Sequence, residues 1–172
     1  MRSTTAIDIA APPALVFELA RDVTRWPRLL PHYVRVDVEE RLGDAAVVAR
    51  MVARRPLVPL LGLALPVAWR ARAWSEPDSL RLRFVHRGGA TNGMDVTWRI
   101  EATPTGAHVS ITHDFRPRLR PWAFIVDRFF TGPIARRTLA TFKSLAEALG
   151  DADFATATRR EPARRHSTKQ SA

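Results

Sequence analysis

The chain has 172 residues, 46% of them hydrophobic and 26% charged, and a net charge of +10. That is enough for one globular domain with a real core, and too apolar for a disordered chain. It contains no cysteine, which excludes disulfides, thiol catalysis and thiolate metal sites. No apolar run reaches the roughly 18 residues a membrane span needs. The N-terminal residues lack the apolar stretch of a signal peptide, so a cytoplasmic location is expected. The basic excess is 25 arginines against two lysines. No groove-reading motif accompanies it, so nucleic acid is not the expected partner. An anionic membrane surface or an acidic acyl carrier protein is compatible with it.

Taken in order, residues 4–9 read as a strand and 13–21 as a helix, with Leu15, Val16 and Leu19 at helical spacing and a proline in the first turn. Residues 22–31 read as a turn and short helix broken at Trp26-Pro27. The period then changes from 3.6 to 2. Strands are expected over 34–39, 47–54, 67–76, 80–87, 93–102 and 107–115, antiparallel because the turns between them are short. From Pro121 to Leu149 the helical period returns, with Gly132-Pro133 expected to kink or split the helix. Residues 151–172 are polar and are expected to form a disordered tail behind a domain of residues 1–150.

Strand parity separates the two sheet faces. One face collects Arg50, Arg54, Arg70, Arg72, Arg81, Arg83, Arg87 and Arg99, the expected solvated side. The other collects Val34, Val36 and Val38, then Met51, Trp69, Ala71, Ala73 and Ser75, then Phe84, Met94, Trp98 and Phe115. Small alanines beside bulky aromatics either bring the long helix close or leave a void, and an aromatic-lined void suits a large apolar ligand. Trp26, Tyr33, Phe130 and Ile134 would complete its wall. His86 and His113 lie on the same inner face and are the candidates for acid–base work, with an ordinary pKa of about 6.5 that suits it. The histidines do not have a tight ligand spacing, so no metal is expected. The segment 55–66 holds three prolines, a glycine and several leucines, and is neither a clean strand nor a clean helix. Leu57, Leu60, Leu61 and Leu63 are expected to form a lid or to dock on a membrane, flanked by Arg54, Arg55 and Arg70.

The order strand, two short helices, six strands, long helix resembles the helix-grip fold (α+β, a curved antiparallel seven-stranded sheet around a C-terminal helix) of the SRPBCC superfamily, which includes START domains. Ile9-Ala10-Ala11-Pro12, Trp26-Pro27, Leu30-Pro31-His32-Tyr33, Gly93 to Trp98, and Arg137-Thr138-Leu139 are similar to its polyketide cyclase/dehydrase and coenzyme Q-binding START group. The resemblance covers residues 4–149. It implies a deep cavity between sheet and long helix, no cofactor, and a hydrophobic small molecule (polyketide, quinone or isoprenoid lipid) as partner. It also implies one of two roles: polyketide cyclase/dehydrase, or non-catalytic carrier at a membrane surface. In the aromatase/cyclase members a basic residue sits on the strand beginning near Trp69; aligned through its closing turn, that position is Ser75 here. Serine cannot supply a fixed cation for an enolate oxygen.

Overall fold

Residues 1–43, 46–58, 63–88, 91–117, 125–126, 128 and 131–160 are described by the structure, a computed structural model, with 55–58, 63–65 and 152–160 described as backbone alone. Seven strands form a single antiparallel sheet in the order β1-β7-β6-β5-β4-β3-β2. They are β1 (Arg2–Ile9), β2 (Tyr33–Arg41), β3 (Ala46–Val58), β4 (Leu63–Glu76), β5 (Arg81–His86), β6 (Asp95–Thr103) and β7 (Gly106–Asp114). Helix α1 (Pro13–Arg21), a 3-10 turn (Val23–Arg25) and α2 (Trp26–Leu29) carry the chain from β1 on one sheet edge to β2 on the other. The long helix α3 (Gly132–Arg160) packs on β1 and α1. This is the helix-grip architecture expected from the order of elements.

Local chemistry sets the joints. Asp22 closes α1 and starts the 3-10 turn by accepting from the Thr24 backbone N–H at 3.0 Å and its hydroxyl at 2.6 Å, satisfying a donor that a helix start leaves open. Gly106 turns β6 into β7 against the end of β1, and a Cβ there would lie 2.1 Å from the Ile9 carbonyl oxygen. Glu147 on α3 accepts from the Ala10 backbone N–H at 2.8 Å and from Lys143 Nζ at 2.6 Å, and Lys143 donates to the Asp8 carbonyl at 2.8 Å. These contacts pin the helix across the end of β1.

Three expectations change here. Residues 55–66 were expected to interrupt the sheet, yet β3 and β4 continue through them as a paired hairpin, with Arg54 opposite Pro66 and Pro56 opposite Ala64. Residues 59–62, with Leu60 and Leu61, lie outside the described residues, as do the side chains of Leu57 and Leu63. The prolines fit because of where their missing N–H groups would point. Arg54 N–H donates to the His32 carbonyl at 2.7 Å, away from β4. Pro56, two residues on, faces the same way, and β2 has already ended there. Arg70 turns its carbonyl to the Arg87 N–H, so Pro66, of the same parity, also faces away from β3, beyond the last β4–β5 pair, Ala71 with His86.

The second change concerns Val34, which was assigned to the inner face and is 45% exposed. A register shift between Tyr33 and Arg35 is the cause. The extra residue of a bulge turns one side chain out and its neighbour in, so Tyr33, opposite Ala53, is the buried one. Helix α3 also runs ten residues past Gly150, into the segment read as a disordered tail. Alanines alternate there with residues that do not break a helix. Residues 161–172 lie outside the described residues. Residues 125–126 are helical, and α3 itself begins at Gly132-Pro133.

Candidate functional site

A cavity of about 140 Å³ lies between the concave sheet face and the first turns of α3. Its floor is aromatic. Trp26 packs edge-on to Tyr33 at 5.1 Å between ring centroids and lies 5.6 Å from both Phe84 and Trp98. Tyr33 meets Trp69 edge-on at 5.8 Å, and Trp69 stacks on His86 at 6.0 Å and 18° between planes. Burial of Trp26 is feasible because its indole N–H donates to the Ala20 carbonyl at 3.0 Å. Met51, Ile134 and His113 also line the cavity.

Of the expected wall, Trp26, Tyr33, Met51, Trp69, Phe84, Trp98 and Ile134 are therefore brought together around one space, with both candidate histidines. Ala71, Met94 and Phe115 are buried in the core and do not line it. Phe130 lies outside the described residues. Ala73 and Ser75 border a different cleft, of about 290 Å³, together with Arg21, Asp22, Thr24 and Arg41. Phe84 lines both spaces and stands between them. Ser75 is thus on the far side of Phe84 from the aromatic cavity. None of the described residues lining that cavity is an arginine, lysine, aspartate or glutamate.

Among the described residues, the polar groups lining the cavity besides the indoles are histidines, threonines and Tyr33. His86 Nδ1 is 2.9 Å from Thr91 Oγ1, on the β5–β6 connection, which holds the ring in place. The His86 backbone pairs with Met94, and Val96 of β6 stands opposite His113. The two histidines are thus two strands apart on one concave face. Burial, and secondarily repulsion from His113, push the His86 pKa down to about 3. The ordinary value near 6.5 expected from sequence does not hold for it: a charged imidazolium loses its hydration here. His86 is a neutral imidazole at physiological pH, suited to donating a hydrogen bond to a carbonyl and poorly suited to taking a proton. Burial also raises the Tyr33 pKa, so its phenol stays protonated.

Sequence parity could not find Thr91, Thr131, Ala135 and Thr138, which line the cavity from the β5–β6 connection, the residue before α3, and α3 itself. A helical stripe drawn through large apolar residues passes over hydroxyls and alanines on the same face. The spacing 131, 134, 135, 138 is the signal that marks them as one helix face.

Comparison with known proteins bears on this geometry. A Streptomyces halstedii protein named "Putative polyketide cyclase" is 34% identical over 102 residues, 58% of this chain and 87% of that protein. The fold is similar to the crystal structure of the Zhui aromatase/cyclase from Streptomyces sp. R1128, with TM-score 0.68 and 18% identity over 86% of this chain and 93% of that one. It is also similar to a START superfamily protein from Mycobacterium smegmatis, with TM-score 0.65 and 12% identity over 86% and 98% of the two chains. The family model for polyketide cyclase / dehydrase and lipid transport matches residues 1–150, and the chain belongs to that family.

Proposed function

We propose that the protein binds a hydrophobic, carbonyl-bearing small molecule in the aromatic cavity and promotes ring closure or dehydration of a poly-β-ketone chain. The observation that carries this reading is a cavity with aromatic walls and a neutral imidazole fixed at its edge. Aromatic faces stack on a flat or folding polyketide and exclude water. A neutral His86 donating to a carbonyl oxygen stabilises the enolate that develops there. His113, on the same wall, takes the proton from the carbon beside that carbonyl and returns it in the dehydration step. The test is turnover of a linear tri-β-ketone, followed by absorbance of the cyclised product. His86→Gln and His113→Gln each lower the rate by about 10²-fold or more if the imidazoles take part. Unchanged turnover in both variants contradicts the catalytic role.

One observation favours a second reading, a carrier for a quinone or isoprenoid lipid: the described cavity wall holds no fixed charge to stabilise an oxyanion. Under that reading the ligand is bound unchanged, and the cavity is loaded at an anionic membrane surface or from an acyl carrier protein. The net charge of +10 supports an anionic partner. No helix among the described residues is long and apolar enough to cross a membrane, so such contact would be peripheral. Co-sedimentation with anionic and neutral vesicles checks it. Changing Leu60, Leu61 and Leu63 to Ser weakens binding if the leucines insert, each worth on the order of 1–2 kcal/mol. Wild-type protein that ignores both vesicle types rules out membrane docking.

A further inference from the structure

His32 is only 1% exposed, and its two ring nitrogens differ. Nε2 lies 2.8 Å from Thr138 Oγ1 on α3. Nδ1 is buried and has no hydrogen-bond partner among the described residues. The residue is held at three points: its backbone carbonyl accepts from Arg54 N–H, its ring meets that of Tyr33 edge-on at 5.1 Å between centroids, and Thr138 meets Nε2. Burial and the nearby Arg137 hold its pKa down, at about 4, so one proton is shared between two nitrogens at neutral pH.

Where that proton sits decides what Thr138 can do. With the proton on Nδ1, a buried N–H would stand without an acceptor, a rare and costly arrangement. With the proton on Nε2, His32 donates to Thr138 Oγ1, and the orphan is only a lone pair. The threonine hydroxyl then accepts from His32 and keeps its own proton to give. On the same helix, Thr141 and Ser144 donate to the carbonyls of Arg137 and Ala140 one turn back, at 3.0 and 3.2 Å. Among the described residues Thr138 makes no such bond, and its hydrogen-bond contact is His32. Thr138 also lines the aromatic cavity.

We infer that Thr138 is a specificity-determining hydrogen-bond donor to a ligand carbonyl oxygen, and that His32 is the positioning residue that fixes its direction. The inference rests on the cavity being the binding site, as proposed above. It places one acceptor of the ligand beside α3, across the cavity from the sheet that carries His86. A saturated hydrocarbon or terpene without an oxygen there would leave the hydroxyl proton unpaired, so the site discriminates against it.

The experiment compares 1-tetralone with tetralin, which have the same ring skeleton and differ by one carbonyl. Equilibrium dialysis gives the affinity ratio of ketone to hydrocarbon for wild type, Thr138→Val and Thr138→Ser. Thr138→Val should lower the ratio roughly two- to tenfold, the worth of one neutral hydrogen bond. Thr138→Ser should keep it, because the hydroxyl remains. In wild type, the nitrogen-15 spectrum of His32 should show the proton on Nε2 at neutral pH, a measurement that needs no variant to fold. A ratio unchanged by Thr138→Val, or a proton found on Nδ1, overturns the inference and leaves the cavity reading standing. Failure of wild type to bind either compound overturns the cavity reading, and this inference with it.

Discussion

On β4, Ala71 and Trp69 face the same side of the sheet two residues apart, yet they border different things. Ala71 and its cross-strand partner Ala49 are fully buried in the packed core, whereas Trp69 stands at the edge of the cavity. Small side chains leave space only when nothing larger fills it. Both alanines belong to the same buried core as Phe142 and Leu139. The space is found instead where large rings pack at angles to one another, around Trp26, Tyr33 and Trp69. Planar groups held edge-on cannot close the gaps between them as branched aliphatic side chains do.

That contrast is open to attack at several points, and the largest effect concerns the buried histidines. His32 and His86 have folded pKa values of about 4 and about 3, below the ordinary 6.5. The unfolded chain therefore binds more protons than the folded one once pH drops below about 6.5. Stability due to these residues is complete above that pH. It falls as pH falls, by up to about 1.4 kcal/mol per pH unit for each histidine until its folded pKa is reached. Urea unfolding at pH 7.5 and pH 4.5 should show a loss of several kcal/mol, and His86→Gln should make the slope shallower. An identical slope in His86→Gln contradicts burial of a neutral imidazole at that position.

The next effect separates the two alanine environments. Ala71→Phe should destabilise the fold by about 1–3 kcal/mol, because the added ring enters filled space. Ala135 lies on α3 at the cavity wall, so Ala135→Phe places the same ring where there is room. Its cost should be under about 1 kcal/mol, mostly the lower helix propensity of phenylalanine. Equal losses in the two variants would mean that the cavity and the alanine region are packed alike.

Much of the fold was legible because alternation survives in six strands. Inward Phe84, Trp98 and His113 and outward Arg83, Arg99 and Asp95 follow directly from period 2. What failed was local. A bulge at Tyr33–Arg35 changes the parity of one residue without altering the composition, so strict period 2 puts Val34 inside although it turns outward in the fold. The proline-rich run 55–66 reads as irregular until the ends of β2 and β5 are known, because only then do Pro56 and Pro66 face no neighbour. The site was legible only in part. Parity put His86, His113, Trp69 and Trp98 on one wall, and the helical stripe supplied Ile134. It could not separate Ala71 and Ala73, which share a strand face with Trp69, from the cavity. Nor could it show that Phe84 divides two spaces, since that depends on side-chain volume and sheet curvature. The depressed pKa of His86 is equally hidden, because it follows from desolvation in the folded state.

The most direct test of the central claim, that the aromatic space rather than the alanine region receives the ligand, is native mass spectrometry of wild type, Ala135→Phe and Ala71→Phe with 1-tetralone. The account requires a one-to-one complex in wild type, loss of that complex in Ala135→Phe, and its retention in the folded fraction of Ala71→Phe. A complex kept by Ala135→Phe and lost by Ala71→Phe would place the ligand among the alanines and contradict the account.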